Sequence, residues 1–182
     1  MMARLLLLVA LLAMTASAGA TDYVQAPGST LAFGGMYQDD AFAGRIPRFA
    51  ATLSFDPADL AHASLDVAIG IGSATTANPD YDQGMLGEAF FDVARFPDAR
   101  YRATRFRSLG GNRYAADGTL SLHGVEQPVT LEFTWTAGAQ PVLAGKATVH
   151  RLAFGVGAGD WADTDLIPDA IAVSTRVLFN PL

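Results

Sequence analysis

The sequence predicts an all-β domain, a closed antiparallel β-barrel of about eight strands with one short helix or lid. Three observations predict it. Apolar residues recur with period two over most of the chain, turn-forming residues separate the alternating stretches, and a single segment carries helical spacing.

Taking the chain in order, Arg4 precedes an apolar run from Leu5 to Met14 and then the small residues Ala16, Ser17, Ala18, Gly19 and Ala20. This pattern is that of a secretory signal peptide, and it falls short of the roughly 20 apolar residues that span a bilayer. Residues 1–20 are therefore expected to be removed, with the mature chain starting at Gly19 or Thr21 and the barrel domain occupying 21–182. The expected location is the periplasm.

Strands are expected near Ser29 to Gly34, Ala41 to Phe55 with a bend at Pro47, and Ser64 to Ile71. Further strands are expected at Ala99 to Arg107, Arg113 to Leu122, Gln127 to Thr136, Val142 to Leu152 and Ala170 to Leu178. The cleanest alternation places Leu65, Val67, Ile69 and Ile71 opposite Asp66, Ala68 and Gly70, which a helix would not keep on one face. Turns are expected at Asp56-Pro57, Gly110-Gly111-Asn112, His123-Gly124 and around Pro141. Between Asn78 and Pro97 the rhythm breaks, and Leu86, Phe90, Phe91, Val93 and Phe96 suit a short helix or lid.

A hydrophobic content of 51% supports a sizeable core. There is no Cys, so no disulfide holds the fold and no thiolate ligates a metal or attacks a substrate. The net charge of -6 becomes -7 once Arg4 is lost, which argues against nucleic acid as a partner. Half of the 12 basic residues fall between Arg95 and Arg113. Simple alternation would put Arg100 and Arg102 on one face and Arg105 and Arg107 on the other, so a bulge or an outward-facing stretch is implied. Either these arginines form a solvated outer face, or one or two hold a phosphate or quinone oxygen at the barrel mouth.

Catalytic and metal chemistry find little support. The three histidines, His62, His123 and His150, fit no zinc spacing. Asn78, Asp80 and Asp82 resemble the start of a calcium loop, but Gly84 comes one place late and the twelfth position is Ala89. Asp160, Asp163 and Asp165 read as solvated loop carboxylates. Gly155, Gly157 and Gly159 suit close backbone turning better than dinucleotide binding, since no helical pattern follows them.

Two longer motifs carry a resemblance. Phe90-Phe91-Asp92-Val93-Ala94-Arg95-Phe96-Pro97 and Gly118 to Leu131, containing Leu120, Gly124, Val125, Pro128 and Val129, resemble two sequence elements of the YceI-like family in the same order. Leu53 to Pro57 and Arg151-Leu152-Ala153-Phe154-Gly155 are similar to further family segments. The resemblance implies a lipocalin-like barrel that binds a polyisoprenoid or an isoprenoid quinone, with no catalytic residue, metal or further cofactor. The glycine-rich stretch ending at Trp161 resembles the branch associated with membrane b-type cytochromes, which implies such a partner and a quinone ligand. Asp80 to Leu86 replaces basic residues found in many members, so head-group contacts made by those residues are not carried over.

Under this reading the candidate ligand-binding residues are Phe33, Phe49, Leu53, Leu65, Val67, Ile69, Tyr101, Tyr114, Leu120, Val129 and Leu131. A barrel of this size holds either a ligand or a filled core, and alternation serves both. Two other functions stay open, an integral outer-membrane barrel and an extracytoplasmic hydrolase. The turns show no long-and-short asymmetry of the outer-membrane kind in the sequence reading.

Overall fold

A computed structural model describes residues 20–182, and the expected signal peptide lies outside the described residues. The strands are β1 (Thr21–Gln25), β2 (Thr30–Tyr37), β3 (Asp40–Arg45), β4 (Phe49–Phe55) and β5 (Ser64–Gly70). After helix α1 (Pro79–Leu86) come β6 (Asp98–Gly110), β7 (Arg113–Leu122), β8 (Val125–Thr136), β9 (Val142–His150) and β10 (Ala170–Pro181). All pairings are antiparallel, and β1, β4, β5, β6, β7, β8, β9 and β10 close an eight-stranded barrel through the β1–β10 pair.

Two details depart from the sequence reading. β1 is an additional strand, and the expected strand from Ala41 to Phe55 is two strands that do not pair with each other. Pro47 supplies no N–H and restricts Ile46, so the chain leaves β3 and enters the barrel wall afresh at Phe49. β10 is long enough to serve two partners along one edge: Asn180 and its neighbours pair with β1, while Ala172 to Arg176 pair with β2. Thus β1 closes the wall at one end of the barrel, and the β2–β3 hairpin extends it at the other. An isolated bridge between Arg45 and Thr75 ties the hairpin back to the segment after β5.

The connections are asymmetric, which corrects the expectation of evenly tight turns. The two longest, 71–97 and 151–169, both lie at the end where β5 finishes and β10 begins. At the opposite end β6 and β7 are joined by Gly111 and Asn112 alone. The outer-membrane reading fails on the wall, because Asp66, Arg100, Arg102, Glu132 and Lys146 face outward from mid-strand positions where a membrane barrel needs an apolar band.

The arginine-rich strand contains the implied bulge. Register shifts between Ala103 and Arg105, so Phe106 turns inward while Arg100, Arg102, Arg105 and Arg107 all stay exposed. Arg100 donates to both Asp66 oxygens at 2.8 and 2.6 Å, and Arg102 reaches the same carboxylate at 3.3 Å. These bonds, led by that from Arg100, hold the Asp66 carboxyl below its ordinary range. The arginines on the strand thus form an outer-wall network, and none of them lines the barrel interior.

Candidate functional site

The inward faces divide the barrel into two halves. At the end near the Gly111-Asn112 turn, seven aromatic rings fill the interior: Tyr23, Phe55, Phe106, Tyr114, Phe133, Trp135 and Phe179. Phe55 lies at their centre, its ring 5.1 Å from Tyr114 and 5.1 Å from Trp135 in edge-on contacts. Phe55 is 1% exposed and Phe179 0%.

Following the same strands toward the long connections, the inward side chains stay apolar but are less completely buried. On β5 Leu65 is buried, yet Val67 and Ile69 are only partly so; on β10 Val177 is buried, while Val173 and Ile171 are partly accessible. They line a cavity of about 420 Å³, within the size range of small-molecule sites. Its floor is Ala51, Leu65, Leu131 and Leu143, and its walls include Phe33, Phe49, Val67, Ile69, Val129, Ala147 and Val149. Small side chains on β4, β6 and β9, namely Ala51, Ala99 and Ala147, leave the space that larger residues fill in the aromatic half.

Nine of the eleven candidate residues lie on this cavity: Phe33, Phe49, Leu65, Val67, Ile69, Tyr101, Leu120, Val129 and Leu131. Leu53 and Tyr114 do not. Leu53 is packed one step below Ala51 on β4, and Tyr114 belongs to the aromatic end. Alternation reveals that both point inward, but not how far along the barrel axis they sit. Tyr101 contributes its ring alone, because its hydroxyl donates to the carbonyl of Ala116 at 2.8 Å with that of Val129 3.1 Å away. Burial raises the pKa of this phenol. Gly118 makes the arrangement possible, since a Cβ there would lie 2.6 Å from the Tyr101 ring.

The mouth is built from three segments. Helix α1 starts at Asn78, whose side chain accepts from Asp80 N, with Pro79 in the first turn. The Asp82 carboxylate accepts from the Thr75 hydroxyl (2.6 Å), the Thr76 N–H (2.6 Å) and the Thr76 hydroxyl (2.7 Å), which latches the helix to the chain leaving β5. These donors, Thr75 first, hold the Asp82 carboxyl below its ordinary range. Asp82, one of the residues that resemble the start of a calcium loop, is therefore a latch. Tyr81 meets Tyr37 of β2 with ring centroids 6.2 Å apart, and Gln38 N donates to Leu166 O, joining α1, the β2–β3 turn and the loop before β10. Tyr81 is 45% exposed while lining the cavity, so the cavity opens here.

Arg151 organises the third segment and is the residue that sequence reasoning passed over, although it heads the Arg151 to Gly155 motif. Its side chain is 4% exposed and faces no carboxylate at bonding distance. Instead Nε donates to Pro168 O (3.2 Å), Nη1 to Val156 O (3.1 Å) and Gly157 O (2.6 Å), and Nη2 to Trp161 O (2.8 Å) and Ile167 O (2.7 Å). Five carbonyls thus use the five N–H groups of the guanidinium. Burial lowers its pKa from the ordinary arginine value, with partial compensation from the charge of Asp169. Gly157, at φ 64, keeps the backbone close enough to be bonded. Among the described residues no group of three or more His, Asp or Glu side chains is placed to hold a metal ion.

Comparison with known proteins accords with this architecture. The YceI-like domain matches residues 23–179. A UPF0312 protein of Yersinia pestis is 34% identical over 89 residues, covering 49% of this chain and 46% of the relative, so the chain spans about half the length of the curated relatives it matches first. Among solved structures, Burkholderia cenocepacia BcnA superposes with a TM-score of 0.79 at 27% identity, over 82% of this chain and 95% of that one. A polyisoprenoid binding domain from Saccharophagus degradans, implicated in plant cell wall breakdown, gives 0.67 at 14% identity, over 90% and 99%, and shows the shared fold. The chain belongs to the YceI-like family.

Proposed function

We propose that this protein is an exported, periplasmic carrier that holds the tail of an isoprenoid lipid or isoprenoid quinone in the hollow half of its barrel, after residues 1–20 have been removed. The observation that carries the reading is the contrast along single strands: β5 and β10 pass from fully buried apolar residues to inward-facing apolar residues that are only partly buried and border an open cavity. Apolar surface left open in this way is stabilised by an apolar occupant, at about 0.8 kcal/mol per buried CH₂ relative to water. The nine candidate residues on the cavity are proposed to contact the tail. The Saccharophagus degradans domain, a polyisoprenoid binding domain of the same fold, supports an isoprenoid as the apolar chain.

Transfer from a bilayer is nearly balanced, because the tail exchanges one apolar surrounding for another and loses conformational freedom on ordering. Such a carrier exchanges its cargo readily. The test is mass spectrometry of lipids extracted from protein released by osmotic shock and purified without detergent. An isoprenoid alcohol or quinone in stoichiometric amount supports the reading, and a lipid-free protein that takes up none from vesicles contradicts it. N-terminal sequencing of the same material, starting at Gly19 or Thr21, tests the export step.

A further inference from the structure

The proposed isoprenoid reading leaves open which end group the mouth accepts. The cavity-lining cation is Arg151, and a phosphate could bind it only by displacing backbone carbonyls from a guanidinium whose five N–H groups are all engaged. Around the opening, the β2–β3 turn, helix α1 and the loop 158–169 contain no Lys or Arg. They carry the exposed carboxylates Asp39, Asp40, Asp80, Asp160, Asp163 and Asp165. Contacts between the segments bring these groups to one rim: Gln38 N bonds Leu166 O, and Tyr37 packs on Tyr81. Arg45, Arg48 and Arg95 stand at this end but do not line the cavity; Arg48 lies against Gly70, and Arg95 pairs with Asp92 at 3.3 Å. The polar groups left for a ligand are phenols. Tyr37 and Tyr81 line the cavity, and among the described residues neither hydroxyl has a side-chain hydrogen bond to the protein.

We infer that the mouth accepts an uncharged head group able to hydrogen-bond, a carbonyl or a hydroxyl, and turns away isoprenoids ending in phosphate. The inference rests on the isoprenoid reading above and adds the end-group chemistry. An anionic head would enter past a ring of carboxylates and find no available cation on the cavity lining, where low-dielectric walls weaken screening. A carbonyl or hydroxyl would meet phenol hydroxyls instead.

The test uses the lipid-free mature protein with farnesol and farnesyl monophosphate as probes of equal chain length, read by quenching of the fluorescence of Trp161, which lines the mouth. Farnesol is expected to bind at least tenfold more tightly than the monophosphate at low salt, with the gap narrowing as salt is raised. In the triple variant Asp39→Asn, Asp160→Asn, Asp165→Asn, the monophosphate should tighten while farnesol is unchanged. Parity of the two probes, tighter binding of the monophosphate, or an unchanged gap in the triple variant would overturn the inference while leaving the isoprenoid reading standing. Binding of neither probe would overturn both.

Discussion

The two halves of the barrel are drawn from the same strands with the same inward alternation, yet one is solid and the other hollow. β8 passes from Val129, partly accessible on the cavity wall, through Leu131 to Phe133 and Trp135, which are buried among rings. The difference lies in side-chain size and in what closes each end. Large rings and the β1 strand close the first; small side chains, the β2–β3 hairpin and two long connections close the second. Stability resides mainly in the filled half, which frees the other to exchange a ligand.

Substitutions in the two halves should therefore have opposite signatures. The largest effect is expected for Phe55→Ala, which removes the ring at the centre of the aromatic cluster and should destabilise by about 3–5 kcal/mol in urea unfolding. A loss under about 1 kcal/mol would show that this half is not the packed foundation of the fold. Next is Arg151→Met, which leaves five mouth carbonyls without their donor. A cost of about 2–4 kcal/mol is expected. Hydrogen exchange should rise in 156–169 while that of β7 and β8 stays slow. Uniform acceleration would mean that Arg151 supports the whole barrel and not the mouth alone.

How much of this was legible in the sequence depends on whether a feature is local. The face on which Val67 and Ile69 lie follows from period two, and the bulge in β6 follows from four arginines that cannot all face outward on a regular strand. β1 escaped notice because only Tyr23 of its five residues packs on the core, so it has no alternation to read. Leu53 and Tyr114 show the other limit. Height along the barrel is set by register, here Leu53 opposite Tyr23 and Leu65, and register depends on pairings remote in sequence. Arg151 was equally illegible, since its partners are backbone carbonyls that a fold alone assembles.

Smaller effects sharpen the contrast at the mouth. Asp82→Ala should cost about 1 kcal/mol through loss of the latch to Thr75 and Thr76, and speed lipid exchange more than it lowers stability. The pH dependence has the same origin. A carboxyl whose folded value is depressed contributes fully above its unfolded value of about 3.9 and loses that contribution as pH falls through the lower folded value. Lipid exchange should accordingly be flat near neutrality and accelerate only below about pH 4, with no such acceleration in Asp82→Ala. The smallest change is expected on the outer wall: Arg102→Ala removes an exposed pair with Asp66 and should shift stability by less than about 0.5 kcal/mol.

The most direct measurement of the central claim, that half of the barrel is a ligand chamber and not core, is Ile69→Trp compared with a lipid-free parent. Ile69 lines the cavity from β5, opposite Phe49 and Ala99. Bound lipid, quantified by mass spectrometry, should fall sharply, while the urea midpoint stays near that of the lipid-free parent because the indole occupies open space. In a filled core the same change overpacks and costs about 1–3 kcal/mol. A variant that unfolds that much more easily than the lipid-free parent, with its lipid content unchanged, would contradict the account.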